Sequence, residues 1–205
     1  FVILNICIGT VEISLSDIFA SLQGKTVKNA RILWDIRMPR TLAAMILGGG
    51  LALAGYLLQT FFHNPIAGPF VLGISSGAKM TVAVVMVFLT GKMIRISSGM
   101  LIFAAFLGAM ISMGFVLLMS TKVHNMSMLV VSGVMIGYIC SAITELIITF
   151  ASDAEIVNLH NWSRGSFSGI TWDNVRVMAV VTGVTFLAVF LLAKPLSAYQ
   201  TGEAY

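Results

Sequence analysis

Residues 35–78 read DIRMPRTLAAMILGGGLALAGYLLQTFFHNPIAGPFVLGISSGA, a long apolar run that stops at a cluster of prolines and glycines. From Thr41 to Phe62 the run carries no charge and has close to the roughly 20 residues that a helix needs to cross hydrocarbon. Pro65 and Pro69 cannot continue a helix, because proline lacks the backbone N–H and clashes with the preceding turn. The stretch therefore predicts a membrane helix, a non-helical turn and the beginning of a second helix.

The composition of the whole chain points to the same class of protein. Of the 205 residues, 58% are hydrophobic and 10% are charged, and the mean hydropathy is +0.98, which indicates an integral membrane protein. The apolar runs are apolar on all sides, which favours helices over the alternating strands of a membrane barrel. We expect an all-α polytopic transmembrane bundle, one domain over residues 1–205, with the end of an earlier helix and then spanning helices at about 41–62, 75–91, 96–121, 126–151 and 173–193.

Small residues are concentrated in one of these helices. Gly50 and Ala54 lie four apart in GGGLALAG (48–55), on one helix face. Such spacing lets another backbone approach closely. We expect this helix to lie inside a bundle.

The turn at residues 60–78 admits three interpretations. NPIA resembles the Asn-Pro-Ala box of aquaporins, but that architecture needs a second box, which the sequence lacks. GISSG matches the G-x-S-x-G pattern, in which Ser75 would need a preceding strand and a base within hydrogen-bonding reach; the residues before it offer only a short irregular approach. We favour the third interpretation, a connection between two helices in which Ser75 or Ser76 caps the second helix.

The same residues carry an ordered set of motifs: R-x-P-R, a Gly/Ala-rich helix ending in Gln, N-P-(L/I)-A-x-P and L-G-(I/V)-S-x-G-A. The set resembles the signature of the permease subunits of type II ABC importers for iron-siderophores, haem and cobalamin. VSGVMIGYICSAI (131–143) resembles the fifth membrane helix of that family, and NWSRGSFSGITW (161–172) resembles its W-x-x-G-S-x-x-G-x-x-W segment. The resemblance implies a fragment that runs from the end of helix one through helix six of a ten-helix subunit.

The resemblance gives a role to both arginines of the R-x-P-R motif. Arg37 and Arg40 match arginines that lie on the external face and contact acidic residues of the substrate-binding protein. A guanidinium suits this role because its planar fork grips a carboxylate through two hydrogen bonds. From the residues alone, both could instead be anchors that reach to lipid headgroups. For the turn, the resemblance implies a cytoplasmic structural connection that includes Asn64, Pro65, Pro69 and Gly73.

The resemblance also locates the translocation path. In the family, the fifth helix and the loop before it line this path, which maps an inner gate onto HNMSM (124–128). Met126 and Ser127 would lie at the narrowest positions, where short polar and flexible side chains close without gripping the cargo. An ordinary loop is the alternative.

The same mapping assigns roles to two further groups of residues. Glu145 falls within the helix that would line the path, and an ionisable side chain inside a membrane helix is a functional candidate by default. We expect it to face the pore or outer vestibule, with an interhelical hydrogen bond as the alternative. LSAYQTGEAY (196–205) resembles the start of the loop that couples to the ATPase, which assigns coupling to Gly202 and Glu203.

The sequence contains no G-x-x-x-x-G-K-[ST] loop for nucleotide phosphates, so we expect no catalytic residues, no cofactor bound by this chain, and ATP on a partner subunit. Asp153, Glu155 and His160 do not share one helix face, and we predict no metal site. The resemblance implies cytoplasmic ATPase subunits, an extracellular or periplasmic binding protein, a second permease subunit and membrane lipid as partners, and no nucleic acid. It also implies the bacterial inner (cytoplasmic) membrane, with an iron-siderophore, haem or cobalamin as cargo; the alternative is a gradient-driven secondary transporter or channel.

The loop charges conflict with the orientation that the family implies. The positive-inside rule would make the side richer in lysine and arginine cytoplasmic. That side holds Lys25, Lys28, Arg31, Arg37, Arg40, Lys92, Arg95, Arg164 and Arg176, whereas the other holds Lys79, Lys122 and Lys194. We follow the family's orientation, because several of those charges belong to the docking segment.

Overall fold

Helices make up the regular structure of the described chain. The computed structural model describes residues 2–9, 11–23, 27, 29–90, 97–123 and 126–202. Within these ranges there is no strand, and the elements are α1 Val2–Cys7, α2 Leu15–Leu22, a π-helical segment Ile32–Arg37, α3 Met38–Phe62, α4 Ile74–Thr90, α5 Ser98–Ser120, α6 Met126–Ile148, α7 Asp153–Arg164, α8 Trp172–Leu191 and α9 Ala193–Thr201. The prediction of an all-α fold is confirmed.

In the described residues, four helical runs are long and apolar enough to cross a membrane. They are Ile32–Phe62, Ser98–Ser120, Ser127–Ile148 and Trp172–Leu191. The other predicted span, α4, holds 17 residues, or about 25 Å at 1.5 Å per residue, and its crossing stays a prediction. The first run begins at Ile32 rather than at Thr41, because the charged residues before Thr41 continue the helix instead of ending it.

The chain divides into two compact units, residues 1–53 with 167–205 and residues 54–166. The single-domain expectation stays a prediction. In the first unit, Ile6, Ile13 and Leu33 form a small buried cluster. This cluster packs α1 and the segment after it against the π-helical segment.

Two indole rings connect three elements of the first unit. Nε1 of Trp34 in the π-helical segment donates to Oγ of Ser21 on α2 at 2.7 Å. Nε1 of Trp172, the first residue of α8, donates to the carbonyl oxygen of Trp34 at 2.9 Å. The beginnings of the first and last candidate spans therefore lie together. Tryptophan is enriched where membrane helices cross the membrane–water interface, because its ring is apolar and its N–H is polar.

In the second unit, α4 and α5 touch through their backbones. A Cβ added to Gly108 on α5 would lie 2.2 Å from the carbonyl oxygen of Gly77 on α4, so only glycine fits at this contact. Thr81 Oγ1 on α4 also donates to the carbonyl oxygen of Ala104 on α5 at 2.7 Å. Small residues and a hydroxyl that bonds across helices are typical of packing in lipid, where no water drives association.

Away from the contact between Gly77 and Gly108, the interior of the second unit is apolar. Val82, Ala83, Ala104, Ile147 and Leu159 form a buried cluster, and a second cluster surrounds Phe62, Ala67, Leu72, Val116 and Leu129. The members come from the last residue of α3, from α4, α5, α6 and α7, and from the turn before α4. The turn is therefore part of the packed interior of this unit.

Helix α3 ends in a left-handed residue before the turn. His63 has φ +48°, its N–H donates to Thr60 O at 3.3 Å, and the N–H of Asn64 donates to Gln59 O at 3.2 Å. This pair of bonds is the Schellman arrangement, which satisfies the last carbonyls of a helix. Pro65 follows directly and prevents the helix from resuming.

Candidate functional site

Arg37 is buried and clamps the end of α1. Only 8% of its surface is exposed. Its Nη1 donates to the carbonyl oxygens of Ile6 and, at 3.1 Å, Cys7, and its Nη2 donates to that of Val11. The last carbonyls of a helix have no partner within it and carry partial negative charge. The guanidinium satisfies them, and so joins α1 to the beginning of α3.

Neighbouring residues are fitted to this clamp. A Cβ on Gly9 would lie 2.6 Å from Nη2 of Arg37, so a larger residue there would displace the guanidinium. Thr41 Oγ1 lies 2.9 Å from both Asn5 Oδ1 and Arg37 O, and its single O–H can donate to either acceptor. The result is a polar network between α1 and α3.

The π-helical segment sets the direction in which Arg37 points. The N–H of Met38 donates to Leu33 O, a bond one residue longer than that of an α-helix, and such widened turns occur often at functional sites. Leu33 and Arg37 are both buried, on the side that faces α1. The apolar side chain packs in the cluster with Ile6, and the guanidinium meets the carbonyls.

Arg40 has a different environment although it belongs to the same motif. It is exposed, and its guanidinium has no hydrogen-bond or ion-pair partner within the described chain. Pro39, between the arginines, is fully buried. Arg37 and Arg40 line one groove beside α1, but only Arg40 is free to meet a charged partner. The docking role stays a prediction for both residues.

Helix α6 has one packed face and one exposed face. Leu129, Gly133 and Thr144 lie on the buried face, where a Cβ on Gly133 would lie 2.9 Å from Leu72 Cα. Tyr138 and Glu145 lie on the opposite face and are exposed. In the described part of the chain the Glu145 carboxylate makes no hydrogen bond. The pore or vestibule role is therefore compatible with its position, and it remains a prediction.

The predicted gate residues begin α6. Met126 is its first residue, and Ser127, the second, is exposed. His124 and Asn125, which complete the predicted gate segment, lie outside the described residues. The gate role stays a prediction.

The predicted turn residues lie between α3 and α4. Asn64 Oδ1 accepts the N–H of Ile66 at 3.0 Å, which folds the chain over Pro65. Pro69 is half-buried. Gly73 has φ +71°, and a Cβ there would lie 2.7 Å from Gly137 N, so both conformation and space require glycine.

Gly202 ends α9 in the left-handed conformation, with φ +77°. Its N–H donates to Tyr199 O at 3.3 Å, as expected of a glycine that closes a helix. Glu203, the other predicted coupling residue, lies outside the described residues. The coupling role of this segment stays a prediction.

The clamp on α1 was not foreseen from the sequence. Arg37 meets carbonyls of Ile6, Cys7 and Val11, which are far away along the chain. Backbone carbonyls carry no sequence signal. The only local hint is Gly9, whose missing side chain leaves room for the guanidinium.

The chain spans about three fifths of the length of the relatives that it matches. The vitamin B12 import system permease protein BtuC of Shigella boydii is 31% identical over 201 residues, which are 98% of this chain and 59% of that protein. BtuC of Citrobacter koseri is 31% identical over 202 residues, 98% of this chain and 58% of that protein. BtuC of Escherichia coli K12 is 30% identical over 201 residues, with coverages of 98% and 59%.

A solved structure and a family model agree with these relatives. A chain described as a metal-chelate type ABC transporter in an inward-facing conformation matches with a TM-score of 0.78 and 24% identity, over 97% of this chain and 60% of that chain. This likeness shows the permease fold. The model of the FecCD transport family matches residues 1–205. With its apolar spans and its importer-permease relatives, the chain is a multi-pass membrane protein that belongs to the FecCD transport family.

Proposed function

We propose that this chain is part of the permease of an ATP-driven importer that moves a metal chelate into a bacterial cell across the cytoplasmic membrane. The observation that carries the proposal is the family match over the whole chain. Cobalamin is the first cargo to test, because the relatives are named for vitamin B12 import. An iron-siderophore or haem is the alternative cargo within the same class.

The proposed assembly contains two permease subunits, two cytoplasmic ATPase subunits that hold ATP, and an external substrate-binding protein. Hydrolysis belongs to the ATPase subunits, and this chain supplies the path. Met126, Ser127 and Glu145 would lie along that path, and the segment at Gly202 and Glu203 would receive the movement of the ATPases. Nucleotide-driven movement would then alternate outward and inward access.

Arg40 is the residue that we propose for docking of the binding protein. Its exposed guanidinium can form two hydrogen bonds with a carboxylate, and its charge raises the rate of encounter with an acidic surface. Arg37 keeps the neighbourhood of Arg40 in place, because its hydrogen bonds hold α1 against the beginning of α3. This division of roles changes the sequence-based prediction, in which both arginines met the partner.

The proposal fixes an orientation that is open to test. If the beginning of α3 is external, Lys194 at the beginning of α9 is cytoplasmic. A reporter enzyme that is active only in the cytoplasm, fused after Lys194, should therefore be active. An active external reporter at this position would reverse the orientation and support the charge-based alternative.

The function is tested by ATPase activity of the full-length permease reconstituted with its ATPase subunits. Cargo-loaded binding protein should stimulate hydrolysis, and Arg40→Gln should reduce the stimulation. Arg176→Gln is the control for a loss of positive charge near the beginning of a span: Arg176 is also exposed, and its guanidinium pairs with Asp173 at 3.0 Å. Equal loss in both variants would remove the docking role of Arg40. Absence of any stimulation in the parent would overturn the importer and favour a gradient-driven transporter.

A further inference from the structure

One face of α6 is packed from the first turn of the helix onward. Leu129, Gly133 and Gly137 lie four residues apart, so they follow one another along this face. Leu129 is 2% exposed and belongs to the buried cluster that also contains Leu72. Leu72 lies in the connection between α3 and α4, residues 63–73, which we call the α3–α4 turn. The packed face of α6 therefore begins against this turn.

The next two contacts along this face join backbone to backbone. A Cβ on Gly133 would lie 2.9 Å from Cα of Leu72, and a Cβ on Gly137 would lie 3.2 Å from Cα of Gly73. From the other side, a Cβ on Gly73 would lie 2.8 Å from the carbonyl oxygen of Gly133. A main chain cannot turn aside as the end of a side chain can, and closely packed interiors transmit a displacement instead of absorbing it. The distance between α6 and the α3–α4 turn is therefore fixed by the two main chains.

Hydrogen bonds hold Leu72 and Gly73 in place within the α3–α4 turn. The N–H of Leu72 donates to the carbonyl oxygen of Gly68 at 3.2 Å, and the carbonyl oxygen of Gly73 accepts the N–H of Gly77 in α4 at 3.0 Å. Both Leu72 and Gly73 are buried. The turn therefore presents a fixed surface to α6.

The packed face reaches the segment that we propose as the gate. Ser127 precedes Leu129 by two residues and Gly133 by six, or roughly 3 and 9 Å along a helix. Sharp kinks in helices are typical of proline and of Gly/Ser pairs, and up to Gly137 the only such site in α6 is the pair Ser132 and Gly133. Leu129 lies on the gate side of that pair. Even a kink at the pair would therefore leave the beginning of α6 against the turn.

We propose that the α3–α4 turn positions the gate, and that the turn and the beginning of α6 move as one body during transport. Leu72 and Gly73 are the positioning residues, since they meet the packed face of α6. The inference rests on the gate role proposed for Met126 and Ser127. The gate then opens by displacement of the turn together with α6, and α6 does not bend away from the turn.

The first test locks the contact in the full-length permease, assembled with its ATPase subunits in nanodiscs. Ser76 Oγ lies 3.7 Å from the position of a Cβ on Gly137, close enough for a disulfide between Ser76→Cys and Gly137→Cys. The readout is the rate at which a charged thiol reagent labels Ser127→Cys, with and without ATP and vanadate. Nucleotide should change this rate in the unlocked protein, and the same change should remain after oxidation. A change that disappears on oxidation and returns on reduction shows that the turn and α6 separate during the cycle, which overturns the proposal.

The second test displaces α6 from the turn. Gly133→Ala forces the helix away from the turn and into the proposed path, so without nucleotide the labelling of Ser127→Cys should slow about threefold, the effect of about 0.7 kcal/mol. Gly137→Ala, whose contact is wider, should slow the labelling less. Gly108→Ala is the matched control, because its Cβ would meet Gly77 on α4 and would leave the packed face of α6 unchanged.

The outcomes separate this proposal from the gate role on which it rests. No effect of nucleotide on labelling in the unlocked protein removes the gate role itself, and the positioning proposal with it. A nucleotide effect together with unchanged or faster labelling in Gly133→Ala overturns the positioning alone, as does equal slowing in Gly133→Ala and Gly108→Ala, which traces the effect to lost stability. A bridge between residues 76 and 137 that fails to form on oxidation contradicts the contact. If Gly133→Ala fails to fold, Gly137→Ala decides, and unchanged labelling in that variant overturns the proposal.

Discussion

Replacement of Arg37 by methionine should destabilise the permease far more than the same replacement of Arg40. Methionine is close in length to arginine and fills much of its volume, but it donates no hydrogen bond. Arg37 donates to three carbonyls, and a hydrogen bond that involves a charged group contributes about 1.5 to 3 kcal/mol. The three together set an upper bound of about 9 kcal/mol by the same rule.

Two effects lower that bound. Removing a buried cation relieves part of its desolvation penalty, which is several kcal/mol for an unpaired ion, and the carbonyls of α1 partly regain hydrogen bonds to water. We therefore expect Arg37→Met to lower the free energy of unfolding by about 2 to 3 kcal/mol, in the range of other broken buried networks. Arg40→Met changes an exposed side chain and should stay within about 0.5 kcal/mol of the parent.

The assay is equilibrium unfolding of the full-length permease in mixed micelles with increasing denaturing detergent, followed by circular dichroism. The quantity compared is the midpoint at an unchanged slope, because a changed slope would indicate a different unfolded state. Arg37→Lys provides a second comparison: one ammonium cannot reach three carbonyls in the geometry of a planar fork, so it should recover only part of the loss. Equal midpoints for Arg37→Met and Arg40→Met would refute the clamp.

Three further changes test other contacts. Gly108→Ala should destabilise the permease by about 1 to 3 kcal/mol through overpacking, because the new Cβ would meet the Gly77 backbone. Gly114 has open space around it, so the control Gly114→Ala should be neutral or stabilising. Equal midpoints for the two variants in the unfolding assay would contradict the contact. Trp172→Phe removes the bond to the Trp34 carbonyl and should lower stability by about 1 kcal/mol, measured in the same way, with no loss if the bond is absent in the membrane. Glu145→Gln should slow cargo uptake by proteoliposomes, since it removes the carboxylate that we place on the path; an unchanged rate would make Glu145 structural.

The all-α fold could be predicted because composition and helix length are properties of the chain itself. The beginning of the first candidate span was harder to predict than the fold class. The sequence-based boundary at Thr41 assumed that charged residues end a membrane helix, but Ile32–Phe62 forms one continuous helical run. Arg37 is tolerated in that run because the carbonyls of Ile6 and Cys7 on α1, and of Val11 after it, accept from its guanidinium. Whether a charge ends a helix therefore depended on a tertiary contact.

The glycines show the same limit. The sequence drew attention to Gly50, which makes only ordinary contact in the described chain, with the nearest Thr182 atom 3.5 Å from an added Cβ. The backbones meet instead at Gly77 and Gly108, where an added Cβ would clash at 2.2 Å. A run of small residues shows where a close approach is permitted. Which run is used depends on the partner helix, which a local pattern does not identify.

The two arginines of the R-x-P-R motif show the same dependence on tertiary contacts. Arg37 and Arg40 are three apart, so the motif places them near each other and suggests one shared role. The structure gives them opposite environments, since α1 covers one and leaves the other exposed. Loss of docking after mutation of both would therefore not identify a docking residue, because the Arg37 change alone would loosen the wall beside Arg40. The single variants separate these causes: a stability effect belongs to Arg37, and an effect on a charged partner at unchanged stability belongs to Arg40.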